Sequence, residues 1–172
     1  MKLFYKSICL ALAGIAMLFS LPAQAQQNQV HFGGGISSNT LDVPYHRTAT
    51  GYQFFGGLQL SNGGARSKTN VLLELGYMDS GWFDYYHPYP YKYYPYYYNV
   101  RFSGLWSTAV MQFQLAPKWD FIARLGADFG EADGLMAGIG IEYGIDRNLA
   151  VRFEYVQRDP YDSAQLNLVY YH

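Results

Sequence analysis

The chain has 172 residues, a formal net charge of -1 and one cysteine, and 19% of its residues are aromatic against 15% charged. Soluble domains average about a quarter charged residues, so this surface is charge-poor. Near-zero net charge argues against nucleic acid as a partner, and a single cysteine excludes a disulfide framework within the chain.

Met1 to about Ala25 reads as a cleaved secretory signal peptide. Lys2 and Lys6 give it a positive start, Ile8 to Phe19 supply the apolar run, and Ala23-Gln24-Ala25 is an A-x-A cleavage site. The apolar run is shorter than the roughly 20 residues a spanning helix needs, which disfavours a transmembrane anchor. Cys9 lies inside this segment, so residues 26–172 contain no cysteine and are expected to form one exported domain without disulfides.

After the leader, period-2 alternation replaces any helical stripe. Val30, Phe32, Gly34 and Ile36 share one face of a first strand. Tyr52, Phe54, Gly56, Leu58 and Leu60 share one face of a second, with Gln53 and Gln59 opposite, and Asn62-Gly63-Gly64 reads as a turn. Val71, Leu73, Leu75 and Tyr77 then oppose Glu74, Gly76 and Met78. A fourth strand runs from about Val100 to Leu115, where Leu105, Ala109, Met111, Phe113 and Leu115 oppose Trp106, Thr108, Val110, Gln112 and Gln114. Ala116-Pro117-Lys118-Trp119 is a tight turn. Phe121, Ala123, Leu125, Ala127 and Phe129 oppose Arg124, Gly126 and Asp128 in a fifth strand. Ala137, Ile139, Ile141, Tyr143 and Ile145 oppose Gly138, Gly140 and Glu142 in a sixth, and Asp146-Arg147-Asn148 turns the chain. Val151, Phe153 and Tyr155 oppose Arg152, Glu154 and Val156 in a seventh. Asp159 to Ser163 leads into the last strand, with Leu166, Leu168, Tyr170 and His172 on one face.

Eight strands of about ten residues predict an all-β fold, an eight-stranded antiparallel up-and-down transmembrane β-barrel. An even count returns both termini to one side. The faces decide against a soluble sandwich or a lipocalin-like carrier, the lesser alternative. Glu74, Arg124, Asp128, Glu142, Arg152 and Glu154 all fall opposite the apolar face, which is otherwise sparse and glycine-rich. Such a face suits a narrow lumen, where ions must pair because little water reaches them. In lipid every backbone polar group must be satisfied within the protein, and only a closed sheet does so.

Four strand segments carry a family resemblance: Glu74-Leu75-Gly76-Tyr77, Ala123-Arg124-Leu125-Gly126, Gly140-Ile141-Glu142-Tyr143 and Val151-Arg152-Phe153-Glu154-Tyr155. In this order they resemble the strand signatures of the outer-membrane protein A-like and opacity-protein-like small barrels, over most of the chain from Val30 onward. The resemblance implies a monomeric barrel in a Gram-negative outer membrane, among lipid and lipopolysaccharide, with Glu74, Arg124, Glu142, Arg152 and Glu154 paired inside. Val110 stands where the family has a lysine, so the network is expected to be smaller or wired differently. The periplasmic peptidoglycan-binding domain of longer relatives is not expected. Leu166, Leu168 and Tyr170 resemble the family's C-terminal assembly signal, read by the barrel-assembly machinery, with His172 where an aromatic, most often Phe, is usual.

Periplasmic termini put Asn39 to Thr50 and about Ser80 to Tyr98 in outer loops. The second holds Tyr85, Tyr86, Tyr89, Tyr91, Tyr93, Tyr94, Tyr96, Tyr97 and Tyr98, interrupted by Pro88, Pro90 and Pro95, which break helix and ladder alike. Three readings of it stay open: a surface that contacts an extracellular ligand or host, an aromatic girdle on the headgroups, or a tolerated low-complexity insertion.

Enzymatic function is disfavoured. Asp79-Ser80, with His46 or His87, resembles the outer-loop residues of lipid A acyltransferases, but an Asp-Ser strand end is the simpler reading. No His has Ser two positions on, as a lipid A deacylase would, and no G-x-S-x-G or phosphate-cradling loop occurs. Neither a cofactor nor a metal site is expected, since His87 lacks co-ligands at suitable spacing. Eight strands leave a lumen about filled by side chains, so no large open pore is expected.

Overall fold

A computed structural model describes residues 30–41, 47–62, 69–86 and 97–172. The expected signal peptide and the expected turn at Gly63 and Gly64 lie outside them. Eight strands follow one another: β1 (Val30–Leu41), β2 (Thr48–Asn62), β3 (Thr69–Tyr86), β4 (Tyr97–Ala116), β5 (Trp119–Gly130), β6 (Gly134–Gly144), β7 (Leu149–Gln157) and β8 (Tyr161–Tyr171). Each pairs antiparallel with the next, and β1 pairs with β8 from His31↔Tyr171 to Leu41↔Tyr161, closing the barrel. His172 extends this seam by donating its backbone N–H to Val30 O at 2.9 Å. Closure leaves no strand edge to face hydrocarbon.

The alternation sorts side chains by polarity in the reverse of a soluble protein. Leu135, Leu125, Phe54, Ile36 and Ile139 stand 77, 65, 62, 60 and 58% exposed on the outer wall. Arg152 and Glu154 on the inner wall are fully buried. Outward aromatics gather towards both ends. Trp119 packs on Tyr143 at 4.8 Å between ring centres near the end carrying the termini. Tyr52, Tyr77 and Trp82 stand on the wall towards the other end. Such girdles mark the two interfaces of a bilayer.

Turn chemistry closes the short connections. Lys118 takes the left-handed conformation (φ 69°) between β4 and β5, and its carbonyl accepts the N–H of Gly144 at 2.9 Å. The Asp146 carboxylate accepts the backbone N–H groups of Asn148 at 2.8 Å and Leu149 at 2.9 Å, fixing the β6–β7 turn.

Two loops are shorter than the sequence suggests. β1 runs to Leu41 and β2 starts at Thr48, so both ends of the expected loop Asn39 to Thr50 are strand, while residues 42–46 lie outside the described residues. β3 continues through Tyr86 and β4 resumes at Tyr97, with Tyr85↔Tyr98 and Tyr86↔Tyr97 paired across the ladder. Tyr85, Tyr86, Tyr97 and Tyr98 are therefore strand residues and not loop residues, because tyrosine favours a pleated backbone where no proline interrupts it. Tyr89, Tyr91, Tyr93, Tyr94 and Tyr96 lie outside the described residues.

Gly57 shows how the interior constrains sequence. It pairs with His31 on one side and Glu74 on the other, and an added Cβ would lie 2.5 Å from His31 Nε2 and from Leu73 O. Gly57→Val should push His31 off Glu74 and cost roughly 1–3 kcal/mol. Urea titration of the heat-modifiable gel band in vesicles would read this as a lower midpoint.

Candidate functional site

The inward positions of β3, β5, β6 and β7 bring four strands' charges to one level of the lumen. Glu74 is the hub. Its Oε1 accepts from Arg152 Nη1 at 2.7 Å and lies 3.0 Å from His31 Nε2, and its Oε2 accepts from Arg124 Nη2 at 3.0 Å. Arg124 also clasps Glu154 with Nε at 2.8 Å and Nη2 at 2.9 Å. Arg152 donates from Nε to Glu142 at 2.6 Å, and the Tyr171 hydroxyl donates to the same carboxylate at 2.7 Å. Gln112 completes that corner, donating to Glu142 at 3.2 Å and to Tyr171 at 2.9 Å. An amide set, in which Gln53 donates to Gln165 and Asn167 at 2.8 Å each, lines the β2–β8 side and joins the ionic level where Asn167 donates to Glu154 at 3.4 Å. These groups are desolvated, so only their mutual pairing makes their burial tolerable.

Apolar side chains bound the ionic level from both ends. Towards the termini, Leu72, Val110 and Ile122 form a buried cluster with Tyr171 against it. Val110 thus adds bulk and no charge. Towards the long loops, Phe55, Trp106, Met78, Met136, Val156 and Tyr161 belong to a larger cluster, reinforced by Phe83 and Phe102. Phe102 stacks on Tyr161 at 5.7 Å. The Arg124 and Arg152 guanidiniums lie 5.3 and 5.7 Å from the rings of Trp106 and Phe55.

Asp128 is buried on the inner wall but stands apart from the hub, paired instead with Arg158 near the loop end. Sequence reasoning missed Arg158, which continues the inward phase of β7 one step past its end. It also missed His31, which sits in the inward phase of β1 between Val30 and Phe32. Both followed from alternation alone.

Asp79 and Ser80 build backbone. The ladder shifts between Asp79 and Trp82, where Gly81 takes φ 76°. Asp79 accepts the Gly81 N–H at 2.9 Å and pairs with Arg101, while the Ser80 hydroxyl donates to Gly81 O and accepts the Phe102 N–H, both at 2.9 Å. Both side chains are therefore committed to a β-bulge. His46 and His87 lie outside the described residues. Leu166, Leu168 and Tyr170 face outward, half exposed, and His172 follows them.

An apolar coat on a closed wall, with charges paired inside, defines an integral membrane β-barrel. The chain belongs to the outer membrane protein beta-barrel domain family, whose profile matches residues 11–170. Membership places it in the outer membrane of a Gram-negative bacterium. Among curated proteins none matches the chain. Among solved structures it is similar to a de novo designed transmembrane β-barrel (17% identity, TM-score 0.54, 87% of this chain and 98% of that one). It is also similar to Ail, the attachment invasion locus protein of Yersinia pestis, in complex with the heparin analogue sucrose octasulfate (14%, 0.51, 85% and 99%). A third is Neisserial surface protein A (11%, 0.50, 84% and 95%). At these identities the likeness is one of fold.

Arg152→Gln should cost about 3–5 kcal/mol by leaving Glu74 and Glu142 short of a cation. Adding Glu142→Gln should restore part of that loss. A double-mutant cycle on folded fraction in vesicles measures the coupling; additive losses would show the pair to be independent.

Proposed function

We propose that this is a non-enzymatic barrel with a closed lumen, whose task is to hold the β3–β4 hairpin and its Tyr/Pro-rich tip above the cell surface. One observation carries this reading: the β3–β4 ladder outruns its neighbours. β2 last pairs with β3 at Tyr52↔Asp79 and β5 last pairs with β4 at Gly104↔Gly130, yet β3 and β4 stay paired from Trp82↔Arg101 to Tyr86↔Tyr97. At about 3.3 Å per residue, that two-stranded ribbon is roughly 15 Å long. Its base is anchored, since Phe83 is fully buried against Phe102 and Tyr161. A rigid stem under a tyrosine-dense tip suits contact with a partner, because tyrosine offers large area at low entropic cost.

The ionic lumen supports the absence of an open pore, and the bulge that uses up Asp79 and Ser80 supports the absence of lipid A chemistry. The sulfated ligand of Ail is not carried over. Exposed Asp84, Glu131, Asp133 and Asp159 at the loop end disfavour a polyanion.

Replacing Tyr89, Tyr91, Tyr93, Tyr94 and Tyr96 with Ser should lower retention of expressing cells on epithelial layers several-fold while the heat-shifted band persists. Unchanged retention would sink the surface-contact reading. Lipid A mass spectra should be the same with and without the gene, and planar bilayers should show no large, steady unit conductance.

A further inference from the structure

The two strands of the β1–β8 seam are held to the rest of the barrel unequally. β8 reaches across the lumen from several inward positions. Ser163 donates to Asn39 of β1, Gln165 and Asn167 accept from Gln53 of β2, and Asn167 donates to Glu154 of β7. β1 is barer. Between His31 and Ser37 its inward positions are Gly33 and Gly35, which have no side chain to send to another strand. Three successive glycines, Gly33 to Gly35, also raise the entropic cost of ordering this stretch. On its lumen side, the middle of the seam therefore rests on backbone pairing.

The terminus end of the seam is clamped instead. His31 and Tyr171 stand opposite each other there, with ring centres 5.5 Å apart. His31 Nε2 lies 3.0 Å from Glu74 Oε1 on β3. The Tyr171 hydroxyl donates to Glu142 on β6 at 2.7 Å, and accepts from Gln112 on β4 at 2.9 Å and from Arg152 on β7 at 3.2 Å. The Tyr171 ring packs against Leu72, Val110 and Ile122. Two rings that meet across the seam are thus each tied to the ionic level, and through it to four further strands.

We infer that His31 and Tyr171 form a latch. While both are bonded the seam stays shut. When either is freed, β1 parts from β8 at the terminus end, and β8 keeps its place through its bonds across the lumen. Such an opening breaks one ladder and leaves β2 to β8 a continuous sheet, so it lies well below global unfolding in cost. The inference rests on the closed barrel and not on what the β3–β4 hairpin contacts.

Hydrogen exchange of the full chain folded into lipid nanodiscs tests it, since an amide shut in the seam meets water only when the seam parts. Tyr171→Phe keeps the ring and removes the hydroxyl. It should speed exchange of the Phe32 to Gly35 and Asn167 to Tyr171 amides roughly tenfold, the effect of losing one hydrogen bond to a charged group, with β4, β5 and β6 unchanged. Phe32 and Tyr170 face each other across the seam on the outer wall. Phe32→Cys with Tyr170→Cys, in a Cys9→Ser background and joined by a short thiol-reactive linker, should return the Tyr171→Phe barrel to the wild-type rate. Should Tyr171→Phe fail to give the heat-shifted band, His31→Phe decides, since it loses the bond to Glu74 and keeps a ring against Tyr171. Unchanged seam exchange, acceleration spread evenly over all eight strands, or fast exchange that persists after linking would each overturn the proposal.

Discussion

A backbone in hydrocarbon cannot leave a peptide group unpaired, and everything else in this molecule follows from meeting that condition with strands. The β1–β8 seam is where the condition is met. Without it, two edges of N–H and C=O groups would face lipid. Closing eight strands then fixes the diameter, and the diameter fixes how much can fit inside. Gly35, Gly57, Gly126 and Gly140 stand on the inner wall because neighbouring side chains and backbone already occupy the space a Cβ would need. Large residues such as Trp106 and Phe55 are accommodated because Gly76 and Gly33 face them.

A narrow interior also dictates how its charges behave. Glu74, Glu142 and Glu154 surround Arg124 and Arg152, with His31, Gln112 and Tyr171 adding further hydrogen bonds to the carboxylates. Such a network adds little stability over an apolar filling, since desolvation offsets most of the attraction. Its larger effect is on register. Slipping any one strand by a single residue would turn its carboxylates or guanidiniums into the bilayer and its leucines into the lumen. The polar pattern therefore penalises every misregistered closure far more than it rewards the correct one.

Alternation makes the face of a residue legible and leaves its depth and partners obscure. Glu74, Arg124, Glu142, Arg152 and Glu154 could be placed on one face because each sits two or four residues from another inward position. Nothing in that period shows that Asp128 lies too near the loop end to reach them. Strand tilt carries neighbouring strands past one another, so which inward residues share a level depends on the register of every pair. Arg158 escaped notice because it lies one residue beyond its strand and two before a proline. The Tyr/Pro segment misled in the opposite direction: composition made it all loop, whereas its flanks pair as strands, since only the prolines forbid a ladder.

The same pairing pattern explains why the loop end is uneven. A barrel needs its full ladder only across the hydrocarbon, so beyond that depth each pair of strands is free to stop or continue. β3 and β4 continue, because the bulge at Asp79 to Trp82 and the buried Phe83 give the ribbon its own anchorage. β7 ends sooner, and β6 carries Gly134 to Met136 past its last pair with β7 at Ala137↔Gln157. The rim is thus higher at the β3–β4 hairpin than where β7 ends. The two departures from a plain cylinder both fall where the bilayer no longer enforces pairing, and there the sequence has freedom to specify contact with something other than lipid tails.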